Sequence, residues 1–162
     1  MFTKNAGAGP EPEVRNSGLY NAAPTVVRTR ILALVAEDSD RELLARVAQD
    51  QGWAIRFART CGEAWEILNS ERIPIVLYDR DLPATDWREG MHILSSAPLP
   101  VYLILLSRVA DDYLWSEVIR RGGYDLVPTP LRREDVLRAI RLGWSFWSNS
   151  MRVPPMLVKH YR

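Results

Sequence analysis

The stretch Ile73-Pro-Ile-Val-Leu-Tyr-Asp-Arg-Asp-Leu-Pro83 decides the fold of this chain. Its apolar part, Ile73–Tyr78, is bounded by turn residues and has the length of a strand that is buried on both faces of a sheet. Four more runs of the same kind lie between residues 30 and 147. These runs are Ile31–Ala36, Trp53–Ala58, Val101–Leu106 and Tyr124–Val127.

Segments with helical spacing separate the five predicted strands. Thr60 and Glu63 have the spacing of a capping box, and Asp86 and Asp111 each stand where a helix N-cap residue is expected. A pair of glycines ends the fourth helix, as glycine commonly does. The predicted helices are Arg41–Gln51, one that starts after Thr60, Trp87–Ser96, Asp112–Arg121 and Arg132–Trp147.

Strict alternation of strand and helix predicts an α/β fold with a parallel sheet and right-handed crossovers. At this length we expect a five-stranded, doubly wound sheet of strand order 2-1-3-4-5, a flavodoxin-like three-layer sandwich. In such sheets the functional crevice lies at the carboxyl ends of the strands, where the strand order reverses. Functional side chains are therefore expected just after the first, third and fourth strands.

Three segments are predicted along the chain. Residues 1–29 are rich in glycine and proline without a helical or strand period, which predicts a flexible N-terminal arm. Residues 30–147 contain all five strand–helix units and form the predicted domain. Residues 148–162 form a short C-terminal tail that is too short for a DNA-binding unit.

The composition excludes several function classes. The 162 residues include 21 Lys and Arg, 20 Asp and Glu, one cysteine and two histidines. A chain of such balanced charge lacks the field that drives binding to nucleic acid or to anionic membranes. The single cysteine excludes a disulfide framework, and the few histidines argue against a His-based metal centre. No apolar run reaches membrane-spanning length, so we expect a cytoplasmic protein.

Asp79 is the candidate reactive group, because it directly follows the third buried run. A carboxylate at the crevice can attack phosphorus and form an acyl phosphate if the incoming negative charge is neutralised. The alternative is that Asp79 only caps a loop.

This part of the chain resembles the CheY-like receiver domain of bacterial two-component response regulators. The resemblance covers residues 30–147 and is most specific at Ile73–Pro83 and at Gly122-Gly-Tyr-Asp-Leu-Val-Pro-Thr-Pro130. It implies that Asp79 is the phosphoacceptor of a phosphorelay, that a histidine kinase supplies the phosphoryl group, and that Mg²⁺ is the cofactor. It also implies signalling through a protein partner rather than enzyme activity, beyond the self-phosphorylation and dephosphorylation of a receiver.

Several family positions are replaced in this chain. Val35 and Ala36 stand where the family has its metal-binding acidic pair, which leaves Glu37 and Asp79 as the remaining ligands of a degraded Mg²⁺ site. Thr129 replaces the lysine that contacts the phosphoryl group, so a charge-assisted contact is lost. The Thr129–Pro130 peptide is expected to be cis, as it typically is in the family.

Two further family positions lie at the fourth and fifth strands. The hydroxyl residue that reports phosphorylation corresponds either to Leu106, by a local match, or to Ser107, by counting back from Thr129. The aromatic residue that usually moves with it corresponds to Leu126, which has no ring, while Tyr124 lies two residues earlier.

These replacements favour a stand-alone receiver-like module with weak or absent phosphorylation chemistry that acts by protein contact. A working phosphoacceptor built on Asp79, Glu37 and Ser107 is the alternative, and a small-molecule binder is a weaker one. Trp115, Phe146 and Trp147 are the predicted interface residues, on the fourth and fifth helices, where a homodimer is expected to form.

Overall fold

The computed structural model describes residues 28–152, in which five strands alternate with five helices. The strands are β1 Arg30–Leu34, β2 Ala54–Phe57, β3 Ile75–Asp79, β4 Tyr102–Ser107 and β5 Asp125–Pro128. The helices are α1 Asp38–Gln51, α2 Cys61–Ser70, α3 Trp87–Ser95, α4 Asp112–Arg120 and α5 Arg133–Arg152.

All strand pairs are parallel, and the strand order is β2-β1-β3-β4-β5, which confirms the predicted fold. In the register of the sheet, Leu34 lies beside Tyr78, and Asp79 lies beside Leu106. The carboxyl ends of β1, β3 and β4 are therefore adjacent, and they form the crevice expected from the strand order.

Each face of the sheet has its own apolar core. Val76 and Tyr78 belong to a core shared with α2, α3 and α4, whereas Ile75 and Leu77 belong to a core shared with α1 and α5. Strand residues alternate between the two cores because successive side chains of a strand point to opposite faces. The sheet is thus covered on both sides, which explains why its strands read as continuous apolar runs.

The predicted helix caps are confirmed. The Thr60 hydroxyl accepts a hydrogen bond from the Glu63 backbone N–H at 3.1 Å. The carboxylates of Asp86 and Asp111 accept bonds from the backbone N–H groups of Arg88 and Leu114 in the same way, at 2.9 and 2.8 Å.

Two helices are longer than predicted. Helix α1 begins at Asp38 rather than Arg41, and α5 continues past Trp147 to Arg152. Residues 148–152, predicted as the start of the tail, thus belong to α5, where the Ser150 hydroxyl donates to the Phe146 carbonyl one turn back. The rest of the predicted tail, and residues 1–27 of the predicted arm, lie outside the described residues.

Within residues 28–152, no helix has both the length and the apolar character that crossing a membrane requires.

Candidate functional site

Asp79 ends β3 in the crevice, and its side chain is almost fully buried, with 3% of its surface exposed. Its Oδ2 accepts a hydrogen bond from the Ala36 backbone N–H at 3.0 Å, and its Oδ1 accepts one from the Asp81 backbone N–H at 2.9 Å. Each oxygen is thus held by a donor from a different loop. Bonds to a charged acceptor are the stronger kind, so this carboxylate joins the loops after β1 and β3.

Glu37, the other predicted metal ligand, has an exposed side chain that contacts Arg108. It is the N-cap residue of α1, and its side chain is 64% exposed and lies 3.8 Å from an Arg108 nitrogen. Among the described residues, no three His, Cys, Asp or Glu side chains are placed to hold a metal ion together. Since Mg²⁺ requires near-octahedral oxygen ligation, the residues present do not fit this cofactor.

Arg108 is a charged crevice residue that the sequence analysis missed. Its Nε lies 3.0 Å from Asp81 Oδ2, and its Nη2 lies 3.8 Å from Glu37 Oε1. The guanidinium therefore links the two acidic residues that flank Asp79 along the crevice. A charged residue directly after a buried strand was the available signal in the sequence.

Ser107, not Leu106, is the polar residue at the end of β4. Leu106 is 1% exposed and belongs to the core under α1 and α5, whereas Ser107 is the last residue of the strand. The Ser107 hydroxyl accepts a bond from the Val109 backbone N–H at 3.1 Å, and its carbonyl accepts one from the Thr129 N–H at 3.0 Å. The structure thus places a hydroxyl at the carboxyl end of β4, and the match of Ser107 to the family's hydroxyl residue stays a prediction.

Thr129 lies at the far side of the crevice and lines a cavity of about 330 Å³, whose other walls include Glu37, Asp40 and Arg108. The Thr129–Pro130 peptide is cis, as predicted. No lysine among the described residues lines this cavity, and the cation among its lining residues is Arg108.

Asp40 is a second buried carboxylate that the sequence analysis missed. It is 3% exposed, and its Oδ1 accepts a bond from the Leu131 backbone N–H at 2.9 Å. This bond ties the first turn of α1 to the loop that carries Thr129. The sequence could have indicated its burial, because Asp40 has the helical spacing of the apolar residues Leu44 and Val47.

Tyr78 lies directly beneath the crevice with its ring fully buried against α3. Burial, followed by the neighbouring Cys61 thiol, raises the pKa of the Tyr78 hydroxyl. Burial also raises the pKa of Cys61, although Tyr78 opposes this shift. The thiol is near enough to affect Tyr78, yet the hydroxyl has no hydrogen-bond partner of normal geometry among the described residues.

The three predicted interface residues lie in three different surroundings. Phe146 is 49% exposed and packs on Tyr124 and Tyr102, with ring centroids 5.1 and 5.7 Å away. Trp115 is 50% exposed on α4. Trp147 is instead half-buried, stacks on Trp144, and donates from its Nε1 to the Pro100 carbonyl at 3.2 Å.

The fold is that of the CheY-like receiver domains of response regulators. The signal receiver domain of an HD domain-containing protein from Pseudomonas fluorescens Pf-5 superposes with a TM-score of 0.70 at 22% identity, covering 82% of this chain and 99% of that one. A CheY-like receiver domain protein from Methanospirillum hungatei JF-1 has a TM-score of 0.68 at 17% identity, covering 76% and 98%. The beryllofluoride-activated NtrC4 receiver domain dimer has a TM-score of 0.67 at 18% identity, covering 74% and 98%.

No family model and no curated protein matches the chain. Identities as low as those of the solved structures establish the shared fold, and function has to be argued from the site itself.

Proposed function

We propose that this protein is an atypical receiver-like signalling module that acts by protein contact and does not depend on phosphorylation. The observation that carries the proposal is the state of Asp79. Its carboxylate is buried, both of its oxygens accept backbone hydrogen bonds, and Arg108 links the acidic residues on either side.

Phosphoryl transfer depends on positioning and on neutralising the charge of the transferred group. The residues at the family's metal and lysine positions are Val35, Ala36 and Thr129, none of which carries a charge. Arg108 is the nearby cation, and it is already paired with Asp81 and Glu37. The crevice thus retains an acceptor carboxylate without the groups that would make it reactive.

The second candidate function is a working phosphoacceptor. It is favoured by the placement of Asp79, Ser107 and Thr129 on adjacent elements, since Asp79 and Ser107 end neighbouring strands and Thr129 donates to the Ser107 carbonyl.

Incubation of the full chain with acetyl phosphate and Mg²⁺, followed by intact-mass measurement, separates the two functions. Beryllofluoride with Mg²⁺, observed by NMR, gives a readout that does not require turnover. We expect no added phosphoryl mass and no beryllofluoride-dependent shifts near Asp79. A mass gain that disappears in Asp79→Ala would overturn the proposal in favour of the phosphoacceptor.

The contact face of the module is proposed to be the edge of the sheet at β5. Helices α4 and α5 both pack on this edge strand. They present exposed apolar side chains, which are Trp115, Ile119, Leu142 and Phe146, and Phe146 packs on Tyr124. The partner is proposed to be a second copy of the chain, with a kinase or downstream signalling protein as the alternative. The NtrC4 receiver domain, which shares the fold, forms a dimer in its activated form.

Sedimentation of the full chain and of the variant Trp115→Ala/Phe146→Ala tests this face. We expect a dimer that dissociates in the variant, because exposed aromatic residues dominate interface energies. Leu99→Ala is the matched control, since Leu99 is 42% exposed on the loop before β4. A wild-type monomer at all concentrations would refute the homodimer and leave a different protein as the partner.

We infer a cytoplasmic, bacterial setting and no enzymatic activity beyond that of a receiver, from the fold and the family resemblance together.

A further inference from the structure

Three arginines converge on one buried tryptophan between α3 and α4. The guanidinium carbons of Arg88, Arg80 and Arg121 lie 4.6, 5.5 and 5.8 Å from the centroid of the Trp87 ring. They come from three places in the chain: the loop after β3, the first turn of α3 and the end of α4. We call these three residues the arginine cluster.

Two of the three arginines in the cluster, Arg80 and Arg88, have no acidic partner among the described residues. The third, Arg121, shares Glu117 with Arg120. The Arg121 Nε is buried without a hydrogen-bond partner there. Like charges this close repel one another, and the indole face offsets that repulsion only in part.

A guanidinium above an aromatic ring keeps its N–H groups at its planar edge, where they can meet a carboxylate in bidentate fashion. Trp87 is itself 6% exposed, so its ring holds the arginines in place and is not a stacking surface for a ligand. The arrangement thus presents pre-positioned donors at the surface beside the crevice.

We propose that the arginine cluster is a docking site for an acidic peptide segment of a partner protein. A short run of carboxylates fits better than a long polyanion, because Asp86 and Glu89 are exposed on the same surface. The net charge of +1 also provides no long-range field for nucleic acid. This site lies between α3 and α4, its tested residues Arg80 and Arg88 are outside the proposed contact face on α4 and α5, and it does not depend on Asp79, so it goes beyond the function proposed above.

The test uses ¹⁵N-labelled full-length protein titrated with a hexaglutamate peptide at low salt. The Trp87 indole N–H resonance reports on the centre of the cluster. We expect it to shift with saturation, and the affinity to fall about tenfold or more in Arg80→Gln/Arg88→Gln, since each variant residue loses a charged hydrogen bond.

The control Arg46→Gln/Arg138→Gln removes the same charge from α1 and α5, on the other face of the sheet, and is expected to bind like the wild type. Arg88→Lys keeps the positive charge but lacks the paired N–H donors of a guanidinium. This variant should bind the peptide with an affinity between those of the wild type and Arg80→Gln/Arg88→Gln. Thermal unfolding of each variant establishes that the fold is retained.

Inorganic phosphate, pyrophosphate and a single-stranded oligonucleotide are titrated in parallel. The proposal would be overturned if the Trp87 resonance did not shift at millimolar peptide. It would also be overturned if the control variant lost as much affinity for the peptide as Arg80→Gln/Arg88→Gln. Tighter binding of a phosphate compound or of the oligonucleotide than of the peptide would overturn the assignment to an acidic peptide. Because neither outcome involves Asp79 or dimerisation, this result is separable from the tests of the proposed function.

Discussion

At the scale of single residues, the buried hydroxyl of Tyr78 is a candidate site for a stabilising substitution. Its hydroxyl is buried and lacks a hydrogen-bond partner within the described residues. An unmet buried donor costs about 1–3 kcal/mol, so Tyr78→Phe is expected to raise the free energy of unfolding by about 1 kcal/mol. Urea unfolding measures this change. A loss of stability would show that the Cys61 thiol accepts a real hydrogen bond from Tyr78.

Gly90 is required on α3 because of the same tyrosine. A Cβ at this position would overlap the Tyr78 side chain. It would lie 2.8 Å from Cε1, and closer still to Cζ and the hydroxyl oxygen. We therefore expect Gly90→Ala to destabilise the protein by about 1–3 kcal/mol despite the better helix propensity of alanine.

Gly62→Ala on α2 is the matched control for Gly90→Ala, since its Cβ would meet only the Thr60 hydroxyl at an ordinary 3.8 Å. Gly62→Ala is expected to change the free energy of unfolding by less than about 1 kcal/mol. Equal effects of the two substitutions in urea unfolding would contradict the close packing of Tyr78 on α3.

At the scale of elements, a hydrogen bond of Asp40 connects α1 to the loop between β5 and α5. Asp40→Ala removes the acceptor of the Leu131 N–H, which is expected to cost about 1.5–3 kcal/mol and to speed amide hydrogen exchange at Leu131. Asp40→Asn keeps an acceptor oxygen and should restore part of the protection. The exposed Asp38, in the same helical turn, supplies the control Asp38→Ala. Unchanged exchange at Leu131 in Asp40→Ala would show that the carboxylate does not hold this loop.

The elements also show what could be predicted from the sequence and what could not. Strands were placed within about two residues, since a run that is buried on both faces is visible in the local pattern. Asp40 and Arg108 were missed, because their partners are distant in sequence and no local pattern encodes them. The local pattern likewise could not show that Leu106 packs into the apolar core while Ser107 ends β4.

At the scale of the whole molecule, stability is expected to fall in alkaline solution. Burial raises the pKa of Cys61 and of Tyr78 above their ordinary values of 9.0 and 10.0. The unfolded chain therefore releases these protons at lower pH than the folded chain. The two protonated side chains therefore make their full contribution to the free energy of unfolding below pH 9. This contribution is lost as the pH rises from 9 through the pKa values of the folded state.

Urea unfolding at a series of pH values from 8 to about 11 measures this loss. Tyr78→Phe is expected to flatten the fall above pH 10, where the unfolded tyrosine ionises. Tyr113→Phe, at a tyrosine that is 71% exposed, is the control substitution. If Tyr78→Phe does not alter the slope of the free energy of unfolding against pH, groups other than Tyr78 cause the loss of stability in alkaline solution.

The end of α5 determines how much of the chain the folded unit needs. The sequence predicted an end at Trp147, whereas the helix continues to Arg152 and the Met151 Sδ accepts a bond from Arg72 at 3.2 Å. A chain ending at Trp147 is expected to be less stable than one ending at Arg152 by about 1 kcal/mol, since it loses this contact and the last helical turn. Thermal and urea unfolding of the two chains, with both N-termini unchanged, provide the comparison. Equal stability would mean that residues 148–152 extend the helix without supporting the fold, and that the boundary predicted from the sequence is sufficient.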